Sequence, residues 1–143
     1  MQGASINTAN HTGYGQLQGH GLVAESVGDH ASASQLFRQV LEYTSSLPPH
    51  SRQFDHTHLA WNLAPLGGFD EARRAIRQVL SVNPRAPMGL LVAAAVEAAA
   101  GEAGEAHRLL DTLDRAMELA DSDFPAAVAA RKLREQLPAV GQI

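Results

Sequence analysis

Residues 53–86, QFDHTHLAWNLAPLGGFDEARRAIRQVLSVNPRA, decide the fold of this chain. Apolar side chains recur at helical spacing on both sides of residues 67–68, two glycines that no helix interior favours. They are Leu59, Ala60 and Leu63 before the glycines, and Ala72, Ile76, Val79 and Leu80 after them. Asp70 is predicted to cap the second helix, and Pro84 to end it, because proline restricts the preceding residue and has no N–H. The stretch is therefore predicted to be two antiparallel helices joined by a tight turn.

The segments on either side can be laid over this hairpin. Gly28, Ala33 and Phe37 stand in equivalent positions before it, and 39 residues separate Ala33 from Ala72. The next equivalent alanine, Ala106, follows Ala72 by 34 residues. We therefore expect a stack of similar hairpins, with about five extra residues in the loop at 45–52 or in a longer second helix of the first hairpin.

The central stretch resembles a tetratricopeptide repeat, whose pattern is W-x2-L-G-x2-Y, then A-x3-F, then P, over about 34 residues. The matching positions are His56, Leu59, Ala60 and Leu63, then Ala72 and Ile76, then Pro84. The resemblance implies an all-α fold, a right-handed solenoid of about three stacked antiparallel helix hairpins with a C-terminal capping helix. The polar outer face of this capping helix would cover the exposed end of the last repeat.

The chain is expected to form one domain behind a short tail. The predicted divisions are a flexible tail at 1–13 and a repeat domain at 14–137, made of repeats at 14–52, 53–86 and 87–120 and a capping helix at 123–137. The first helix, from Gln16 to Val27, is expected to be weak, since Gly19 and Gly21 each cost about 1 kcal/mol relative to alanine. Asp123 is predicted to cap the last helix.

Composition excludes several classes of function. Aromatic residues make up only 5% of the 143 residues, which suits closely packed helices better than a β-sandwich. The net charge of −4 argues against binding nucleic acid through its phosphate backbone. There is no cysteine, so the chain has no disulfide framework and no thiolate chemistry. No secretory or membrane-spanning pattern is present, and we predict a cytoplasmic protein without a membrane partner.

Catalytic and metal-binding patterns are weak. The glycines of residues 13–21 follow no predicted strand, so they do not indicate a phosphate loop, and we predict no enzyme activity and no cofactor. Among the seven histidines, only His56 and His58 cluster, beside Asp55. These two side chains point about 200° apart on a helix, so no metal site is predicted, and the histidines are expected to be solvated or to line a groove. The acidic run of residues 111–123 is expected to be a solvated helix face, with a docking patch for a basic partner as the alternative.

The resemblance further implies that the first helices of successive repeats line a concave groove that binds partners. The residues expected there are Gln18 and Leu22 from the first repeat, Phe54, Thr57 and Trp61 from the second, and Met88 and Leu91 from the third. This predicted groove is apolar in its middle and at its far end, and tryptophan is a favoured anchor at interfaces. The family's clamp for a terminal carboxylate is disfavoured, because the matching positions offer no basic group except His58.

We therefore predict an adaptor or assembly module that binds a protein partner, as a peptide or a helix, in this groove. One alternative is a homodimerisation module that uses the same strip or an uncapped end of the stack. Another is a regulatory or substrate-positioning domain of a larger enzyme or transcriptional regulator.

Overall fold

The computed structural model describes residues 2–118 and 124–138, with side chains from residue 14 onward. This part of the chain forms seven α-helices and two short 3-10 helices, and it contains no strand. The α-helices are α1 Gln2–Ser26, α2 His30–Tyr43, α3 Gln53–Leu63, α4 Phe69–Val82, α5 Pro87–Ala99, α6 Ala103–Ala116 and α7 Pro125–Gln136. The prediction of an all-α stack of helix hairpins is confirmed.

The three hairpins α1/α2, α3/α4 and α5/α6 share one type of turn. Each turns at a glycine with positive φ, 81° at Gly28, 78° at Gly67 and 83° at Gly101. The amide after each glycine donates to the carbonyl five residues earlier, at 2.8 to 3.0 Å. This is the Schellman arrangement, which satisfies carbonyls at the end of a helix and favours glycine because a Cβ is strained in the left-handed region. The repeat is therefore visible in the backbone itself.

These turns give a matched pair of stability predictions. Gly67→Ala is expected to destabilise the fold by about 1–2 kcal/mol, because alanine is strained at a φ of 78°. Gly104→Ala should instead stabilise it by about 0.4–1 kcal/mol, since Gly104 lies in α6 and an added Cβ would meet nothing within 4 Å. Urea unfolding followed by circular dichroism checks both. Equal stability of the two variants would contradict the prediction.

The fourth residue of each second helix is a fully buried alanine. Ala33, Ala72 and Ala106 are each 0% exposed, so the paired helices approach closely there. Helices α2, α4 and α6 have the same length, 14 residues each. The extra residues of the first repeat therefore lie in the connection after α2, which contains the 3-10 helix Pro49–Arg52.

Helix α5 is the centre of the stack. It packs against α3, α4, α6 and α7, and seven of its residues are buried. Its approach to α4 is close at Gly89, where an added Cβ would lie 2.9 Å from Cγ1 of Val79. Two forked ion pairs link successive hairpins: Arg38 with Glu71, and Arg73 with Glu97.

Three details differ from the sequence predictions or extend them. The cap of α4 is Gly68, not Asp70, because the Schellman turn carries the chain into α4 two residues earlier and Asp70 lies inside its first turn. The capping position of α7 is Phe124, whereas Asp123 lies outside the described residues. Helix α1 begins at Gln2 rather than near Gln16. The flexibility of the tail and the division at residues 13, 52, 86 and 120 stay predictions.

Helix α7 closes the described stack through a few specific contacts. Ala126 and Ala130 are buried, while Arg134 donates to Asp111 of α6 at 3.2 Å and also to Asp114. The prediction that the acidic run is only a solvated face is therefore incomplete, since these two exposed carboxylates hold α7. No helix in the described ranges has the length and apolar character needed to cross a bilayer.

Candidate binding groove

Trp61 of α3 is 39% exposed and lies between two hollows, each of about 230 Å³. The first, the Pro65 hollow, is lined by Trp61 with His30, Ala64, Pro65, Ala95 and Ala99. The second, the Lys132 hollow, is lined by Trp61 with Leu91, Ala95, Ala129, Lys132, Leu133 and Gln136. The small side chains of Ala95 and Ala99 on α5 leave this space open beside the indole. We call Trp61 and the two hollows the Trp61 groove.

Two of the predicted groove residues are buried rather than open. Leu91 is 4% exposed and forms part of the wall of the Lys132 hollow. Thr57 is 8% exposed, and its hydroxyl donates to the Gln53 carbonyl at 2.7 Å. Both are enclosed because α3 and α5 have neighbours on more than one side. Thr57 therefore presents little open surface, and its binding role stays a prediction.

Three other predicted residues are exposed apolar side chains outside both hollows. Phe54 is 47% exposed. The centroid of its ring lies 4.3 Å from the ring centroid of His58 and 6.4 Å from that of Phe37. Met88 and Leu22 are 50% and 38% exposed, and neither lines a hollow. The structure thus gathers Trp61 and Leu91 in the groove and leaves Phe54, Met88 and Leu22 apart from it. A binding role for any of these side chains stays a prediction.

The start of α2 and the helix α7 also contribute to the groove, which was not predicted from the sequence. Lys132, Leu133 and Gln136 line the second hollow, and His30 lines the first. Helix α7 was assigned only as an end cap, but it continues the row of first helices formed by α3 and α5. The sequence contained one signal for this role of α7, namely a helical spacing that places four residues on one face: Ala129, Lys132, Leu133 and Gln136.

The last predicted residue, Gln18, belongs to a polar seam between α1 and α3. The seam comprises Gln18, Glu25, His30, Asp55, His58 and Asn62. The Gln18 side-chain amide donates to Oδ1 of Asp55 at 2.9 Å. Gln18 is therefore engaged inside the stack and does not point freely into a groove.

Glu25 and Asn62 form the rest of the seam. Oε1 of Glu25 accepts from Nδ1 of His58 at 2.7 Å and from Nδ2 of Asn62 at 2.8 Å. Oδ1 of Asn62 accepts in turn from Nδ1 of His30 at 2.8 Å. Both histidines therefore carry a proton on Nδ1, because carboxylate and amide oxygens only accept. Asn62, which is 0% exposed, thus joins α1, α2 and α3.

Burial changes the titration of two residues near the seam. It raises the pKa of Asp55, although the hydrogen bond from Gln18 opposes this. Burial, aided by the charge of Arg52, lowers the pKa of His56, whose Nδ1 is buried without a partner in the described part of the chain. His56 and His58 are both partly exposed, and the expectation that the histidines are solvated or line a groove stays a prediction. Within the described ranges, no three His, Asp or Glu side chains are grouped so that they could hold a metal ion.

Comparison with known proteins gives a likeness of fold. The sequence matches no protein-family model and no curated protein. Among solved structures, the crystal structure of a TPR-like protein from Chlorobium tepidum TLS superimposes with a TM-score of 0.71 and 18% sequence identity. The match covers 90% of this chain and 96% of that one. At this level of identity the match shows the fold alone: the chain has a TPR-like helical fold.

Proposed function

We propose that this protein is a protein-interaction module that binds a peptide or helix of a partner in the Trp61 groove. The observation that carries the proposal is the half-exposed indole of Trp61 between two hollows. Apolar clefts with a large aromatic side chain are favoured binding sites, because burying an aromatic anchor supplies much of the energy of an interface. The TPR-like fold, whose stacked helices present extended surfaces, supports the same function.

The test is selection of random linear peptides displayed on phage against the wild type, with Trp61→Ala as the comparison. We expect peptides that bind the wild type and lose at least tenfold in affinity with Trp61→Ala, because the variant removes the shared wall of both hollows. Tyr43→Ala is the matched control, since Tyr43 is also an exposed aromatic residue, at the end of α2 and lining neither hollow.

Three further results decide the interpretation of that selection. Circular dichroism should show the same helicity for all three proteins, because Trp61 is half-exposed. Unfolding of Trp61→Ala would mean that the indole is part of the core. Failure to select any peptide that depends on Trp61, together with a wild type that does not associate through Trp61, would refute the proposal.

A second candidate function, self-association through α1, is favoured by one observation. Val23, in the last turn of α1, and Val27, in the turn that follows this helix, are 63% and 74% exposed at the N-terminal end of the stack. Light scattering on a sizing column separates this from the first candidate. A dimer that persists in Trp61→Ala and dissociates in Val27→Asp would support it, whereas a monomeric wild type would refute it.

A further inference from the structure

We infer that the Trp61 groove selects an acidic amphipathic peptide, with apolar side chains for the two hollows and a carboxylate beside Lys132. This inference rests on the proposed function and specifies the chemistry of the partner. It follows from three features of the groove, namely the size of its hollows, the sign of the charge at its edges, and the contrast between that charge and the charge of the whole protein.

The hollows have the size of single apolar side chains. Each measures about 230 Å³, and both are bounded by Trp61 and Ala95, so they lie side by side. An apolar cavity of about 150 Å³ already accepts benzene. Each hollow therefore has room for one leucine or phenylalanine side chain, and a peptide with two such side chains would enclose the indole from both sides.

The charge at the edge of the groove comes from Lys132. Neither hollow is lined by an aspartate or a glutamate, whereas Lys132 lines the second of them. Lys132 is exposed and is the only lysine in the sequence. The neighbouring Arg134 is bound to Asp111 and Asp114, but Lys132 has no ion pair within the described ranges. The Lys132 ammonium is thus a positive charge at the edge of an apolar surface.

The positive charge of Lys132 is opposite in sign to the net charge of the protein. The chain has 15 acidic residues against 11 lysines and arginines, for a net charge of −4. An acidic peptide is repelled by most of this surface and attracted at the groove, so the charge pattern favours one binding position. A single lysine is too little positive charge for a nucleic-acid backbone, which needs a concentrated basic face. A carboxylate on an amphipathic peptide suits the groove better.

The test uses a defined peptide library displayed on phage. Each peptide of 14 residues carries two variable positions, four residues apart, limited to Leu, Phe and Ala. A third variable position is limited to Glu, Gln and Lys and is placed one turn before, between or after the apolar pair. We expect wild-type protein to select Leu or Phe at both apolar positions and Glu at the third.

The selected glutamate peptide is then synthesised together with its glutamine counterpart, and both are titrated calorimetrically. Lys132→Met keeps most of the side-chain stem and removes the charge. It should weaken the glutamate peptide roughly twofold to fivefold, the range of an exposed ion pair, and leave the affinity of the glutamine peptide nearly unchanged. Lys132→Glu should weaken the glutamate peptide further and favour a lysine peptide. Arg131→Glu is the matched control, because Arg131 is the exposed neighbour on α7 that lines neither hollow.

The outcomes separate this inference from the function on which it rests. The inference would be overturned, and the proposed function would stand, if the selected peptides need Trp61 but show no preference for glutamate. The same holds if Lys132→Glu and Arg131→Glu lower the affinity of these peptides equally. A wild-type dimer that Trp61→Ala converts to a monomer would show that a second copy occupies the groove, and would also overturn it. Selection of no peptide that needs Trp61, from a monomeric wild type, would overturn both.

Discussion

Phe37→Ala is expected to lower the free energy of unfolding by about 3–5 kcal/mol, the largest effect of any single substitution considered for this chain. Phe37 is 0% exposed, and its ring is stacked on His58 at 5.3 Å between centroids. The ring fills the space between α1, α2 and α3, so its removal leaves a cavity that rigid helices close only in part. Because domains of this size are stable by about 5–15 kcal/mol, the variant should be marginal. Urea unfolding measures the change, with the exposed Tyr43→Ala as the control.

A second substitution makes this prediction sharper. A Cβ at Gly21 would lie 2.9 Å from Cε2 of Phe37, a contact that the enclosed ring has little room to relieve. Gly21→Ala should therefore destabilise the wild type by about 1–3 kcal/mol. In the Phe37→Ala background the clash is absent, and the same change should stabilise α1 by up to about 1 kcal/mol, since alanine favours helices over glycine. Equal effects of Gly21→Ala in both backgrounds would contradict this packing.

Asn62→Ala is expected to cost about 2–4 kcal/mol, because one buried side chain makes three hydrogen bonds of the polar seam. Its amide donates to Glu25 and to the His58 carbonyl, and its oxygen accepts from His30. Alanine would leave the half-buried His30 without this acceptor, and Glu25 without one of its two donors. The cost is that of buried polar groups without partners, which exceeds the net value of the bonds themselves.

Asn83→Ala is the matched control for this experiment. Asn83 follows α4 at the surface, and its side chain accepts only from the Arg85 amide at 3.1 Å. Its loss should cost at most about 1 kcal/mol. Comparable losses for Asn62→Ala and Asn83→Ala, measured by urea unfolding at neutral pH, would mean that the seam contributes little to the packing of α1.

The hairpins were predictable because they depend on local patterns. The spacing of Ala33, Ala72 and Ala106 and the glycines at 28, 67 and 101 carry the repeat, and the structure places each where a helix begins or turns. The cap of α4 could not be assigned from residue preference alone. Asp70 has the preferred side chain, but the turn geometry puts Gly68 at that position.

The polar seam was not predictable in the same way, because helical spacing tells which residues share a face but not which helix that face meets. Asp55, His58 and Asn62 recur at helical spacing on α3, and Gln18 and Glu25 do so on α1. The sequence carried this signal, but only the packing of α1 beside α3 joins the two sets. For the same reason Gly21 was judged only as a weak helix residue, although its missing side chain accommodates Phe37.

The place of Trp61 has an optical consequence. It is the only tryptophan of the chain, and its indole is half-exposed in the Trp61 groove rather than enclosed in the core. Intrinsic emission excited at the red edge of the absorption band therefore comes from one site, half in contact with water. Enclosing that indole would shift its emission to shorter wavelength while the helical signal stayed constant. The unmodified protein thus carries its own fluorophore for the occupancy of this face, without any attached dye.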